Sequence, residues 1–162
     1  MTAVLAALAY FGRGVANSQD SRAAVAIFDF NYVDTSGEER DQRSEHAARL
    51  AAFMSALKTD LAMQGRIRLV APVCRPEPCS LAPSAPGDVL AAAREAGASL
   101  VLIGNIHKMS TLVQWANVQA IDVKTGQAVL AKLFTFRGDT DEAWARAEQF
   151  IAAEIGSVGP LP

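Results

Sequence analysis

The sequence lacks the features that mark several classes of protein. Lysine and arginine number 15 against 17 aspartates and glutamates, and no basic block is longer than two residues, so a face that neutralises nucleic-acid phosphates has no obvious source. No glycine-rich phosphate loop of the Walker or Rossmann pattern is present, and we expect neither a nucleic-acid partner nor a cofactor. With 162 residues, 51% of them hydrophobic and 20% charged, the chain fits one ordinary globular domain and not a disordered or collagenous one.

A hydrophobic run long enough to span a membrane is also missing. The apolar run over residues 2–12 has eleven residues without a charge, whereas a span takes about 20. Small residues follow at Gly14 and Ala16 with the spacing of a signal-peptide cleavage site, although no lysine or arginine precedes the run. We therefore expect a signal peptide over residues 1–16, cleaved near Ala16, and a periplasmic, not membrane-spanning protein. The mature chain is predicted to have a flexible start over 17–23, one globular domain over 24–156 and a tail over 157–162.

Cysteine is scarce, and its two copies are close together. Four residues, two of them proline, separate Cys74 from Cys79, and in an exported protein this spacing favours a disulfide. Closing so short a loop contributes only about 2 kcal/mol. A structural zinc site would need His46 and His107 as further ligands, and a redox pair would have Cys-x-x-Cys spacing.

Hydrophobic periodicity predicts the element order β-α-β-α-β-β-β-α, with a hairpin turn over 122–127. Asp139 is predicted to cap the last helix, with Glu142 three residues later. This order indicates a single α/β (α+β) domain with a mixed five-stranded sheet packed by helices. The predicted strands cover 24–33, 67–72, 100–106, 112–123 and 128–136, and the predicted helices cover 44–64, 86–97 and the residues after 139.

Three segments carry a resemblance to a known domain: Val25–Phe30, Ala96–Ile106 and Ile121–Gln127. Together they resemble the exported bacterial domain in the amino-terminal part of TolB and in the curli-secretion protein CsgG. Residues 28–36 and 137–144 are similar to a family of small bacterial proteins of unknown function. The resemblance covers roughly residues 24–155. It implies a periplasmic protein-interaction or assembly module without known chemistry, whose partner is an envelope or periplasmic protein. The lipid-bearing cysteine of several relatives is absent here.

One candidate surface lies where a buried strand becomes polar. Strand alternation places Asn105 and His107 on one face, and the following strand carries Trp115 and Asn117, with Gln114 and Gln119 as further polar neighbours. Tryptophan is enriched at interaction hot spots, so this patch is a candidate partner-binding face. A solvated sheet face with Trp115 in the core is the alternative interpretation.

A second candidate is the acidic segment after the first strand. Asp29, Asp34 and Glu38 could bind a cation or a small ligand, which would make the protein a periplasmic carrier that uses residues 34–41. Their spacing is not that of an EF-hand, and a solvated loop is the alternative.

No catalytic residue is predicted. Ser55–Lys58 and Lys124–Gly126 match two of the three motifs of serine β-lactamases, but Ser-Asp-Asn is absent. His46 falls in the first turn of a helix, and we expect it to be exposed. The carboxylates from Asp139 to Glu142 are expected to complement the dipole of the last helix.

Overall fold

A computed structural model describes residues 22–74 and 86–157. The elements run in the order β1 (Ala23–Ile27), β2 (Asn31–Asp34), α1 (Arg43–Met63), β3 (Ile67–Val70), α2 (Pro86–Glu95), β4 (Leu100–Lys108), β5 (Val113–Asp122), β6 (Ala128–Arg137) and α3 (Asp141–Ser157). They form one α+β domain with a mixed, open sheet, as the sequence predicts. Among the described helices, none combines the length and apolarity needed to cross a membrane.

The sheet has the order β3-β1-β4-β5-β6, and β2 pairs with β4 beyond the end of β1. Strands β1 and β2 lie parallel to β4, β3 lies parallel to β1, and β5 and β6 form an antiparallel meander. Within residues 22–74 and 86–157 the sheet therefore has six strands, where the sequence predicts five. The difference arises because the single strand predicted over 24–33 is interrupted.

The interruption is an irregularity of one residue. Ile27 pairs with Leu102 and Asn31 with Asn105, so three residues of the first segment stand opposite two residues of β4. An extra residue of this kind re-aims the side chains around it. Phe28 consequently packs on one face of the sheet and Phe30 on the other.

Gly104 gives Phe30 the room to cross. A Cβ atom at Gly104 would lie 2.6 Å from the Phe30 ring and 2.7 Å from the backbone oxygen of Asn117. Both distances are far inside van der Waals contact, and the second neighbour is backbone that cannot rotate away. Glycine at this position is therefore a packing requirement of the interrupted strand.

The two faces of the sheet are covered unequally. Helices α1 and α3 pack on one face over the main core, which includes Leu57, Leu102, Val118 and Ile151. Helix α2 packs on the other face over a smaller cluster around Phe28, and that cluster reaches only the amino-terminal part of β4. The remaining part of this second face has no helix over it among the described residues.

Glycine ends α1 as predicted, but the start of α3 differs from the prediction. Gly65 has φ +68°, a conformation that suits a residue after a helix end. The predicted cap Asp139 is wrong: α3 begins at Asp141, and the hydroxyl of Thr140 accepts the backbone N–H of Ala143 at 3.3 Å. Asp139 is thereby free to point into the protein.

Candidate functional site

Asp139 lies at the centre of a buried polar cluster under α1 and α3. Its carboxylate accepts from Lys108 Nζ at 2.8 Å, His46 Nε2 at 2.8 Å and Arg49 at 3.1 Å. Longer contacts of 3.3 Å come from Gln114 Nε2 and the indole N–H of Trp144. Burial opposes ionisation of Asp139, but the hydrogen bonds from Lys108 and His46 outweigh it and lower the pKa of Asp139 to about 2. We call these six residues the Asp139 cluster.

Lys108 is the buried cation of the Asp139 cluster. Its side chain is 0% exposed, yet its ammonium group is fully surrounded by acceptors: Asp139, the carboxylate of Glu38 and the amide oxygen of Gln42 at 2.6 Å. Burial favours the neutral amine, and the bonds to Asp139 and Glu38 overcome this and raise the pKa of Lys108. Because Glu38 and Gln42 precede α1, Lys108 ties the loop over residues 35–42 to the sheet.

His46 is buried and not exposed as expected, with only 2% of its surface accessible. Position 46 lies in the first turn of α1, which faces the loop between β6 and α3, and the ring stacks near Tyr32 and Trp144 with centroid distances of 4.6 and 6.4 Å. An ionised carboxylate can only accept, so His46 Nε2 carries a proton toward Asp139.

The side chains of the Asp139 cluster bond to one another and so connect several elements of the fold. A catalytic acid or base must reach the proton that it moves, but the polar atoms of these residues are turned toward one another. They join α1, the end of β4, the start of β5 and the loop before α3. Their arrangement holds the helical layer and the loop over 35–42 in fixed positions on the sheet.

Of the three acidic residues predicted as a ligand site, Asp34 and Glu38 lie together and Asp29 lies apart from them. Asp29 pairs with Lys58 of α1 at 2.7 Å, whereas Asp34 and Glu38 lie near Lys108, at 4.0 Å in the case of Asp34. The Lys108 ammonium thus occupies the place between these carboxylates that a bound cation would take. Within the described residues, no group of three or more His, Cys, Asp or Glu could hold a metal ion.

The predicted partner-binding residues do share one face. Strand register pairs Asn105 with Asn117 and His107 with Trp115, so all four lie on the side of the sheet that α2 leaves uncovered. His107 Nε2 lies 2.7 Å from the Thr35 hydroxyl. The rings of His107 and Trp115 are nearly perpendicular, with their centroids 6.2 Å apart. The expectation for Gln114 is wrong. It pairs with Lys108 and is buried on the opposite face.

Large apolar side chains are exposed around these polar ones. Trp115 is 37% exposed, Val33 on β2 is 45% exposed and Leu133 on β6 is 61% exposed. The register places all three on the same side as His107 and Asn117. We call this surface the open face, defined by Val33, Asn105, His107, Trp115, Asn117 and Leu133.

A cleft borders the open face beside the first half of α2. It has a volume of about 320 Å³ and is lined by Val89 and Leu90 of α2 and by Ile103, Asn105 and Asn117 of the sheet. Apolar walls with a few amide groups are typical of a pocket that receives a side chain or small ligand. The cleft therefore extends the open face toward α2.

The structure describes only one of the two cysteines of the predicted disulfide. Cys74 is described, but Cys79 lies outside the described residues, as do residues 1–21 with the predicted signal peptide. Both features stay predictions.

Solved structures share the fold at low sequence identity. PelC from Paraburkholderia phytofirmans, described as a dodecamer, is 17% identical with a TM-score of 0.53, covering 83% of this chain and 86% of that chain. The C-terminal domain of LpoB from Escherichia coli is 15% identical with a TM-score of 0.52, covering 74% and 86%. TolB from Acinetobacter baumannii is 18% identical with a TM-score of 0.49, covering 86% of this chain and 29% of its own.

Comparison with protein families gives a direct assignment. No curated protein matches this chain. The family model DUF3280, described as "Protein of unknown function (DUF2380)", matches residues 23–155. That range covers every described strand and nearly all of α3, and it agrees with the resemblance to a family of unknown function seen in the sequence. The chain belongs to the DUF3280 family of proteins of unknown function.

Proposed function

We propose that the protein is an exported, non-enzymatic module that binds another envelope protein through the open face. The observation that carries this proposal is Trp115, a large amphipathic side chain exposed on β5, which pairs with a strand on each side, beside His107, Asn117 and Leu133. Tryptophan surrounded by polar groups is the composition of an interaction hot spot. Apolar side chains on neighbouring strands add a continuous contact surface.

The Asp139 cluster supports the same proposal from the other side of the sheet. It fixes the end of β4 and the loop over 35–42, and Thr35 of this loop bonds to His107. A surface held rigid before binding loses less conformational entropy when a partner docks. The buried ions would then act as the support of the open face.

Export is the second part of the proposal. We infer that the signal peptide over residues 1–16 is removed near Ala16 and that Cys74 and Cys79 form a disulfide in the oxidising periplasm. The intact mass of the protein isolated from its native cells should equal that of a chain beginning near Asn17, less two hydrogens. A full-length mass in the cytoplasmic fraction would contradict export, and alkylation of both thiols without reduction would contradict the disulfide.

Partner binding is tested by affinity isolation of the tagged protein from native envelope extracts, followed by mass spectrometry. We expect a near-stoichiometric partner with the wild type. Its recovery should fall about tenfold or more with Trp115→Ala, as for a hot-spot residue, and less with His107→Ala. Phe150→Ala is the matched control, since Phe150 is an aromatic residue of α3, exposed by 58%, and it packs against Phe134 on the opposite side of the sheet.

The outcome divides the alternatives. Equal recovery with Trp115→Ala and wild type would contradict the open face as the binding surface. Recovery of this chain alone, in a multimer that Trp115→Ala dissociates, would identify the partner as further copies of the chain. PelC, which shares the fold, is described as a dodecamer, so this outcome is tested explicitly.

A further inference from the structure

A groove between α1 and α3 lies on the opposite side of the molecule from the open face. The two helices run side by side in the same direction, because Arg49 near the start of α1 binds Asp141 at 2.8 Å and Gln64 after its end binds the Ala152 carbonyl oxygen at 3.0 Å. Between them is a space of about 410 Å³. Its walls are formed by methyl groups from both helices and by two aromatic rings: Ala48, Ala52, Ala56, Ala145, Phe53 and Trp144.

Glu148 places a carboxyl group in this apolar groove, and the described residues leave one of its oxygens without a hydrogen bond. The residue lines the groove and is only 2% exposed, and its Oε1 has no hydrogen-bond partner among the described residues. A buried carboxyl oxygen without a donor is costly, and most such groups are satisfied in native proteins. This unsatisfied acceptor is the feature that points to a ligand.

The charges around the groove favour a cation. Asp60 of α1 interacts unfavourably with Glu148, and burial and this interaction raise the pKa of Glu148 to about 7. Arg49, at one end of the groove, is the basic residue among its described lining residues. It is already paired with Asp139 and Asp141, so it does not neutralise Glu148. The aromatic rings of Phe53 and Trp144 add the negative potential that attracts cations.

We propose that the groove binds a small alkylammonium ion, whose ammonium group donates to the Glu148 carboxylate and whose aliphatic stem lies along the alanine methyl groups. The ammonium group supplies the missing donor and offsets the charge of Glu148. The aliphatic stem is apolar, so it loses no hydrogen bonds when it packs against the alanine methyl groups of the walls. A metal ion fits the groove less well, because it would need several oxygen ligands, and Asp141, the other carboxylate that lines the groove, is already paired with Arg49.

The probe is n-butylammonium chloride, added to the purified protein at pH 8, where Glu148 is ionised. The indole N–H resonances of the two tryptophans report binding separately, since Trp144 lines the groove and Trp115 lies on the open face. We expect the Trp144 resonance to shift to saturation while that of Trp115 stays in place. n-Butanol is the uncharged control and sodium chloride the ionic-strength control, and neither should move Trp144.

Two variants assign the contacts. Glu148→Gln should weaken n-butylammonium binding by about tenfold or more, equivalent to about 1.4 kcal/mol, because it replaces the carboxylate with a neutral group of the same shape. Ala52 lines the groove and is exposed on α1, so a leucine there fits the fold and fills the groove. Ala52→Leu leaves every charge in place and should also abolish the Trp144 shift. A Trp144 shift that does not saturate, or that is unchanged in Glu148→Gln, would overturn the proposal.

Discussion

Replacing Asp139 by asparagine is expected to destabilise the protein by about 3–5 kcal/mol, the usual cost of removing one partner of a buried ion pair. The carboxylate accepts from Lys108, His46 and Arg49 at once. An asparagine has one carbonyl oxygen for these donors, and its amide N–H groups would face either Lys108 and His46 or Arg49, all of which donate to Asp139. Lys108, 0% exposed, would then keep the close counter-charge of Glu38 and the more distant one of Asp34, at 4.0 Å.

The measurement is the free energy of unfolding in urea at pH 7, with Asp141→Asn as the matched control. Asp141 also pairs with Arg49, but its side chain is 84% exposed, and exposed pairs contribute about 1 kcal/mol or less. Equal losses in the two variants would show that the Asp139 cluster has no special structural role.

The Asp139 carboxylate also makes the free energy of unfolding depend on pH in the acid range. The pKa of Asp139 is about 2 in the folded protein against 3.8 for the unpaired group, so the folded state binds fewer protons than the unfolded state between these values. The stability from this group is fully present above about pH 4 and is lost as the pH falls toward 2. In Asp139→Asn this part of the acid-induced loss should disappear.

Replacing Glu148 by glutamine should have the opposite effect and stabilise the protein at alkaline pH. The pKa of Glu148 is about 7 in the folded state against 4.5 for the ordinary group, because burial and Asp60 disfavour the carboxylate. The wild type therefore loses stability as the pH rises from 4.5 through 7. Glutamine resembles the protonated acid and carries no such cost, so the gain should reach roughly 2–3 kcal/mol at pH 8.

The expected gain depends on pH, and this dependence separates it from a change in packing. At pH 4 the two proteins should be about equally stable, since Glu148 is then protonated in the folded state. Glu154→Gln is the control: Glu154 is on the same helix but is 38% exposed and paired with Lys132 at 2.8 Å, and its change should stay within about 0.5 kcal/mol. A gain from Glu148→Gln that is the same at pH 4 and pH 8 would contradict the buried-acid interpretation.

Sequence periodicity predicts local faces well where a strand is regular. It places Asn105 and His107 on one face and Trp115 and Asn117 beside them, and the register confirms this. The same alternation already assigns Gln114 to the other side from Trp115, because neighbouring residues of a strand face opposite ways. Periodicity does not predict the interruption of the first strand, because no residue type marks the extra residue between Ile27 and Asn31.

The Asp139 cluster is not visible from the sequence because its members are distant along the chain. Lys108 lies 31 positions from Asp139 and 70 from Glu38, and each residue alone has an ordinary local explanation: a strand end, a helix cap, a charged loop. One signal was available. Lys108 continues the alternation of Leu102 and Ile106, which places it on the buried face and predicts a counter-ion there.

The central claim is that the open face contacts an envelope protein, and site-specific photo-cross-linking in native cells tests it most directly. A photoreactive phenylalanine analogue would replace Trp115 in one strain and Phe150 in another, two exposed aromatic positions on different sides of the molecule. We predict one discrete cross-linked species from position 115 and none of that mass from position 150. Cross-linking of the same species from position 150 alone, or from both positions equally, would contradict the claim.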